Sequence, residues 1–300
     1  MKRQLRNILM SFCIILLTFG CTRQKQDTQP DTNAEENKEV SLVYKVPEME
    51  DVIIKKDIEY LSEQENSLTV DMYYPPGFKF ESNLPAVLVV FGFSNDSLIK
   101  LFGIRGKEHS WYRSWGKLIA ASGMAALIYE TDSPEEDLDI LLQFLQDHAD
   151  DYCIDRNRLG IYACSGNVPT ALVNCMDETK KYIHCAAFYY GFMLMTDQEY
   201  IPEIEAFSER FGFLTPQLNA DLKLRDDLPL LIVRVGLENT PHLNSSIDHF
   251  FAKAVSQNLQ INFINYAEGR HGFDAYDDND LSRDIIKKTL DFWKFHLFKK

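Results

Sequence analysis

Three hundred residues with 45% hydrophobic side chains suffice for one large or two small domains and a sizeable core. The net charge is −14, from 31 basic and 45 acidic residues, which excludes nucleic acid as a partner because phosphate contacts need clustered Lys and Arg. There are six cysteines. None is spaced with His as zinc ligands are, so no metal is expected.

The first 21 residues read as a targeting segment. Lys2, Arg3 and Arg6 form a basic start, and Ile8 to Phe19 is apolar apart from Ser11 and Thr18. That run is shorter than the roughly 20 residues a membrane span needs. It closes on Leu17–Thr18–Phe19–Gly20–Cys21, which resembles a bacterial lipobox. Lipidation of Cys21 is expected, with a lipid anchor to a membrane and an extracytoplasmic location in the periplasm or at the cell surface. A plain secretory signal or an uncleaved anchor would also put the remainder outside the cytoplasm. Thr22 to Glu39 is polar with almost nothing to bury, so residues 22–49 are assigned to a flexible linker and 50–300 to the folded domain. Beyond Cys13 and Cys21, the cysteines are Cys153, Cys164, Cys175 and Cys185. A domain this large does not need disulfides, so free buried thiols are expected over two bridges.

Asp51–Tyr60 and Leu68–Tyr74 read as an opening hairpin, and Pro75–Pro76–Gly77 ends it. Leu84–Phe91 is a near-continuous apolar run, as in a strand buried on both faces, and it stops at the turn-rich Gly92–Asp96. Ser110 to Ala121 has helical spacing, and Met124–Tyr129 is another buried strand. Ser133–Pro134–Glu135–Glu136 starts a helix that runs to about Ala149. A short strand, Leu159 to Ala163, then leads through small residues into a helix, Val168 to Met176. Tyr182–Tyr190, Pro229–Val235 and Ile261–Tyr266 are further strands, a helix follows Pro229–Val235, and Ser282 to about Phe298 is a closing amphipathic helix. The alternation predicts an α/β fold, a mostly parallel eight-stranded sheet flanked by helices. Residues 192–227 interrupt it with aromatic and acidic side chains and no clear strand, and are read as a cap or lid over the C-terminal edge of the sheet.

The strand–turn–helix at Ala163–Cys164–Ser165–Gly166–Asn167 is a nucleophile-elbow arrangement around Ser165, with Ala163 and Asn167 where G-x-S-x-G has glycines. Such a turn strains the serine backbone and lifts its Oγ clear of the sheet. The base it needs is His271, in the Gly-flanked loop Glu268–Gly269–Arg270–His271–Gly272–Phe273–Asp274 after the last strand. The acid is Glu238, the sole carboxylate of Gly236–Pro241, with Asp248 on the following helix as runner-up. The backbone N–H of Gly166 and that of Phe93, after strand Leu84–Phe91, are the candidate oxyanion hole. Cys164, which has Gly two residues after it, is the alternative nucleophile. Trp111, Tyr112 and Trp115 are candidates both for the pocket wall and for the core.

These three segments, around Asp155–Asn167, Val235–Asn244 and Gly269–Asp274, resemble the dienelactone-hydrolase-like members of the α/β-hydrolase superfamily across about residues 50–300. The resemblance implies an eight-stranded sheet with its second strand antiparallel, a Ser-acid-His triad and no cofactor. In its R-[IL]-G-x-x-G-x-S pattern the Arg lies seven before the nucleophile, as Arg158 does before Ser165 and not before Cys164. The expected function is hydrolysis of a carboxylic ester or lactone, of a carbohydrate or other small molecule, through an acyl-enzyme; amide or peptide cleavage would use the same triad. The rival expectation is a non-catalytic lipoprotein that keeps the fold as a binding or scaffold module.

Overall fold

Two long strands open the molecule. β1 (Ile53–Glu63) and β2 (Asn66–Tyr74) pair antiparallel, and β2 pairs antiparallel with β4 (Ala125–Tyr129). In this computed structural model residues 40–63, 66–194, 201–213 and 223–299 are described. The other sheet members are β3 (Leu84–Val89), β5 (Ile154–Cys164), β6 (Ile183–Tyr189), β7 (Leu230–Val235) and β8 (Ile261–Tyr266). They form one eight-stranded sheet of order β1-β2-β4-β3-β5-β6-β7-β8, parallel from β4 onward. The second strand is antiparallel, as the resemblance implies. The central strands are buried on both faces because they are apolar on both: Ala86 to Val89 and Ala125 to Ile128 are wholly inaccessible to solvent.

The helices between strands include α2 (Ser110–Ala121), α3 (Pro134–His148), α4 (Val168–Met176) and α6 (Leu243–Ser256), and α7 (Asp280–Leu297) follows the last strand. Most boundaries fall within a few residues of the pattern in the sequence. β5 is the main exception, because it begins at Ile154 rather than Leu159. Among the described residues, three α-helical segments are not foreseen: α1 (Asn95–Phe102), the cap helix Ile201–Phe211 and the short turn Phe273–Tyr276. α1 follows β3 directly, with Ser94 capping it by accepting the Ser97 N–H and Gly103 ending it at φ 75°.

The signal segment with Cys21 and linker residues 22–39 lie outside the described residues. The linker boundary at 49 needs correction. Leu42 and Met49 are buried, Pro47–Asp51 forms a 3-10 turn, and the Leu42 N–H donates to Ser114 Oγ at 3.0 Å. Apolar side chains with a core face to cover pack down, so the folded domain begins before residue 50. Cys153, Cys164, Cys175 and Cys185 are free thiols, and all but Cys153 are buried.

Candidate active site

The turn after β5 carries the local strain. Ser165 has φ 55°, in the left-handed region, while Asn167 has φ −80° and is right-handed. Asn167 therefore does not replace glycine for its backbone freedom. Its buried side chain ties two loops together: Oδ1 accepts the Gly92 N–H at 2.8 Å, and Nδ2 donates to Tyr112 Oη at 3.0 Å. The loop after β3 is thereby pressed onto the elbow. A Cβ on Gly92 would lie 2.5 Å from the Gly166 carbonyl oxygen, and one on Gly166 would lie 2.5 Å from the Phe93 ring. The Gly92 and Gly166 backbones are thus neighbours, with the Phe93 ring packed on Gly166. Asn167→Ala strands a buried N–H and removes a donor, each worth about 1–3 kcal/mol. Asn167→Gly, although it restores the commoner residue, is expected to lose as much, read as a fall of about 2 kcal/mol in urea unfolding.

Three side chains from three sheet ends converge. His271 Nε2 lies 2.8 Å from Ser165 Oγ, and His271 Nδ1 lies 2.6 Å from Glu238 Oε2. The Glu238 carboxylate is 2% exposed. Its Oε1 accepts the N–H groups of Asn239 (3.0 Å) and Thr240 (2.8 Å), so the loop after β7 aims it. Burial alone would raise its pKa. The His271 charge and the hydrogen bonds from His271 and Thr240 outweigh that and hold it at about 2 against an ordinary 4.5. Asp248 instead pairs with Arg234 on the surface of α6 at 2.8 Å. The loop after β8 is pinned by Leu237 N–H to Gly269 O (3.0 Å) and by Arg270 to Asp277 (2.5 Å), and it turns at Gly272, φ 75°. Cys164, one residue before Ser165, is wholly buried, and burial pushes its thiol well above the ordinary value.

No protein-family model matches the chain, and no curated protein does. Solved structures do. A serine-to-alanine mutant of LAE6, an alpha/beta hydrolase enzyme from the metagenome of Lake Arreo, Spain, superposes with TM-score 0.65 at 12% identity, over 89% of this chain and 88% of that one. A bacterial heroin esterase gives TM-score 0.60 at 13% identity, over 83% of this chain and 86% of that one. An esterase from the Planctomycetes species Thermogutta terrifontis gives 0.59 at 17%, over 83% and 95%. The chain has the α/β-hydrolase fold.

In this hydrolase fold the excursion after β6 reaches the site. Its described part holds helix α5 (Ile201–Phe211), and Phe213 forms an isolated antiparallel bridge with Phe93. Phe207, Phe211 and Phe213 line the cavity that contains Ser165 and His271. Residues 195–200 and 214–222 of the same excursion lie outside the described residues. Trp111 and Tyr112 also line the cavity. Trp115 does not, because it is fully buried and its indole N–H donates to Asp274.

Asp274 is the residue supporting the site that the sequence pattern does not single out. It is wholly buried, three residues after His271. Its Oδ2 accepts from Trp111 Nε1 (3.0 Å), Trp115 Nε1 (3.0 Å) and Tyr162 Oη (3.2 Å), and its Oδ1 from Tyr190 Oη. Burial pushes its carboxyl up, against the donors Tyr190, Trp115 and Trp111 that pull it down. Tyr190 in turn packs on the His271 ring, with centroids 4.6 Å apart. Asp274 therefore joins α2, β5 and the end of β6 to the histidine loop. Among the described residues no group of three or more His, Cys, Asp or Glu is placed to hold a metal ion.

Proposed function

We propose that this protein is a serine hydrolase of carboxylic esters. The observation that carries the reading is the continuous relay from Ser165 Oγ through His271 to Glu238, with Ser165 on a strained turn. His271 takes the Ser165 proton as Oγ attacks the ester carbonyl, and Glu238 holds the imidazole's other nitrogen and stabilises the imidazolium. The oxyanion is met by the N–H groups of Gly166 and Phe93. His271 then protonates the leaving alcohol. Water, deprotonated by the same imidazole, attacks the acyl-enzyme, releasing the acid and restoring Ser165. The same steps would cleave a lactone, or an amide with the amine as leaving group. Ser165 is favoured over Cys164 because the imidazole faces Ser165 Oγ, while the thiol is buried and held protonated.

The neighbours' described activities point the same way, since two of them are esterases. A lipid on Cys21 would place the enzyme on the outer side of a bacterial cytoplasmic membrane or at the cell surface. The lipobox-like Leu17–Cys21 supports that location.

Fluorophosphonate labelling of the protein, with 4-nitrophenyl acetate turnover alongside, tests the reading. The expected result is labelling and turnover, both lost in Ser165→Ala. A folded protein that neither labels nor turns over ester would overturn it, and would favour a binding module on the same fold.

A further inference from the structure

The cavity before Ser165 has a chemical character that the proposed reaction does not use. Phe93, Phe102, Phe192, Phe207, Phe211 and Phe213 form much of its wall. No Lys, Arg, Asp or Glu is among its described lining residues. A substrate carboxylate would be buried there without a partner, and sugar hydroxyls would lose water for almost nothing in return. Aromatic walls instead favour apolar and aryl groups.

Besides the hydroxyls of Thr240 and Tyr276, which can donate or accept, one polar group in that wall is left over as a fixed donor. Asn167 is engaged at both ends of its amide, and Ser165 and His271 face each other. His109 also lines the cavity and is 6% exposed. Its Nδ1 accepts the Trp111 N–H at 3.2 Å, capping α2, so its own ring proton sits on Nε2. No described residue accepts that proton. The ring is packed edge-to-face against Phe102 (5.5 Å) and Tyr112 (5.8 Å). Burial lowers its pKa to about 4, so at neutral pH it remains an uncharged donor.

Resting on the ester-hydrolase reading for the identity of the reaction, we propose that the group seated in this cavity is uncharged and apolar, at least the size of an aryl ring. We propose further that His109 Nε2–H selects for an acceptor oxygen on it. His109 is then a specificity residue, and the carbohydrate ester drops out of the expected substrates.

Binding and turnover test this separately. Calorimetry with Ser165→Ala would compare the 4-nitrophenyl esters of phenylacetic acid, its methoxy-substituted analogues and succinic acid (as the hemiester), together with an acetylated xyloside. The arylacetyl esters are expected to bind at least about tenfold more tightly than the hemisuccinate or the xyloside. In the wild type, kcat/KM should follow the same order. His109→Asn keeps an N-cap acceptor for α2 but withdraws the Nε2 donor. It should reduce the ratio of kcat/KM for the best methoxy ester to that for the plain phenylacetate about tenfold. Tighter binding of the charged or sugar ester, or an unmoved methoxy preference in His109→Asn, would overturn the proposal. Because binding is read in a variant without the nucleophile, an aryl preference without turnover would fault only the hydrolase reading.

Discussion

Glu238→Gln is expected to lower kcat by about 10⁴ while leaving the fold intact. The reason lies in which oxygen does what. Oε1 accepts two backbone N–H groups, from Asn239 and Thr240, and Oε2 faces His271 Nδ1. In the amide, the backbone donors keep the carbonyl oxygen at the Oε1 position, so the NH2 must face Nδ1. Nδ1 then becomes the acceptor, the imidazole proton moves to Nε2, and Ser165 meets a donor where it needs a base. Steady-state kinetics on the ester that labelling identifies would measure the loss, and a loss under tenfold would remove Glu238 from the relay. Acid should act on the same contact. A carboxyl held at about 2, below its unfolded value, lends stability that is fully present above about pH 4.5. That stability is lost as the pH falls toward 2.

Asp274→Ala is expected to be the most destabilising single change in the molecule. It would leave the Trp115 indole N–H and two phenol hydroxyls buried without an acceptor, and the half-buried Trp111 indole N–H unpaired at the cavity wall. Each such group costs about 1–3 kcal/mol, against about 5–15 kcal/mol for a whole domain. The variant should unfold in far less urea than the native protein, or fail to fold. Asp274→Asn should be milder. Its amide oxygen can replace Oδ2 for both tryptophans and Tyr162, while its NH2 meets Tyr190 Oη, which can turn to accept. Similar urea midpoints for Ala and native protein, read by circular dichroism, would show that the cluster contributes little.

The contrast between Glu238 and Asp274 shows what a linear sequence displays. Glu238 and His271 were legible because the strand–loop pattern places both at sheet ends, and their loops are short with few candidates. β3 and β4 were legible as unbroken apolar runs, and β6 as one broken only at His184. Asp274 belongs to the same histidine loop, yet its donors lie 84 to 163 positions away. No local spacing marks a carboxylate as the meeting point of four elements. Trp115 was ambiguous for the same reason, since a tryptophan on an amphipathic helix reads alike whether it faces a pocket or a core. Asn167 looked like a weakened glycine because its partners, Gly92 and Tyr112, are equally remote in sequence. The linker boundary was placed late because Leu42 and Met49 are isolated apolar residues in a polar stretch. Only the packed fold shows that each has a site. α1 did carry a legible sign, Ser94 before and Gly103 after an apolar-spaced run, but the turn residues Gly92 to Asp96 masked it.

The start of the folded domain is fastened to the same cluster. The Val43 N–H donates to the Asp274 backbone oxygen at 2.9 Å, and Leu42 holds Ser114, one position before Trp115. A force drawing the chain away from its N-terminal side would therefore load Ser114 and the histidine loop one after the other, not some indifferent edge of the sheet. The first residues after the polar stretch serve as a peg for the machinery, and clipping the polypeptide between Val43 and Met49 would unfasten it while every member of the relay stayed in place.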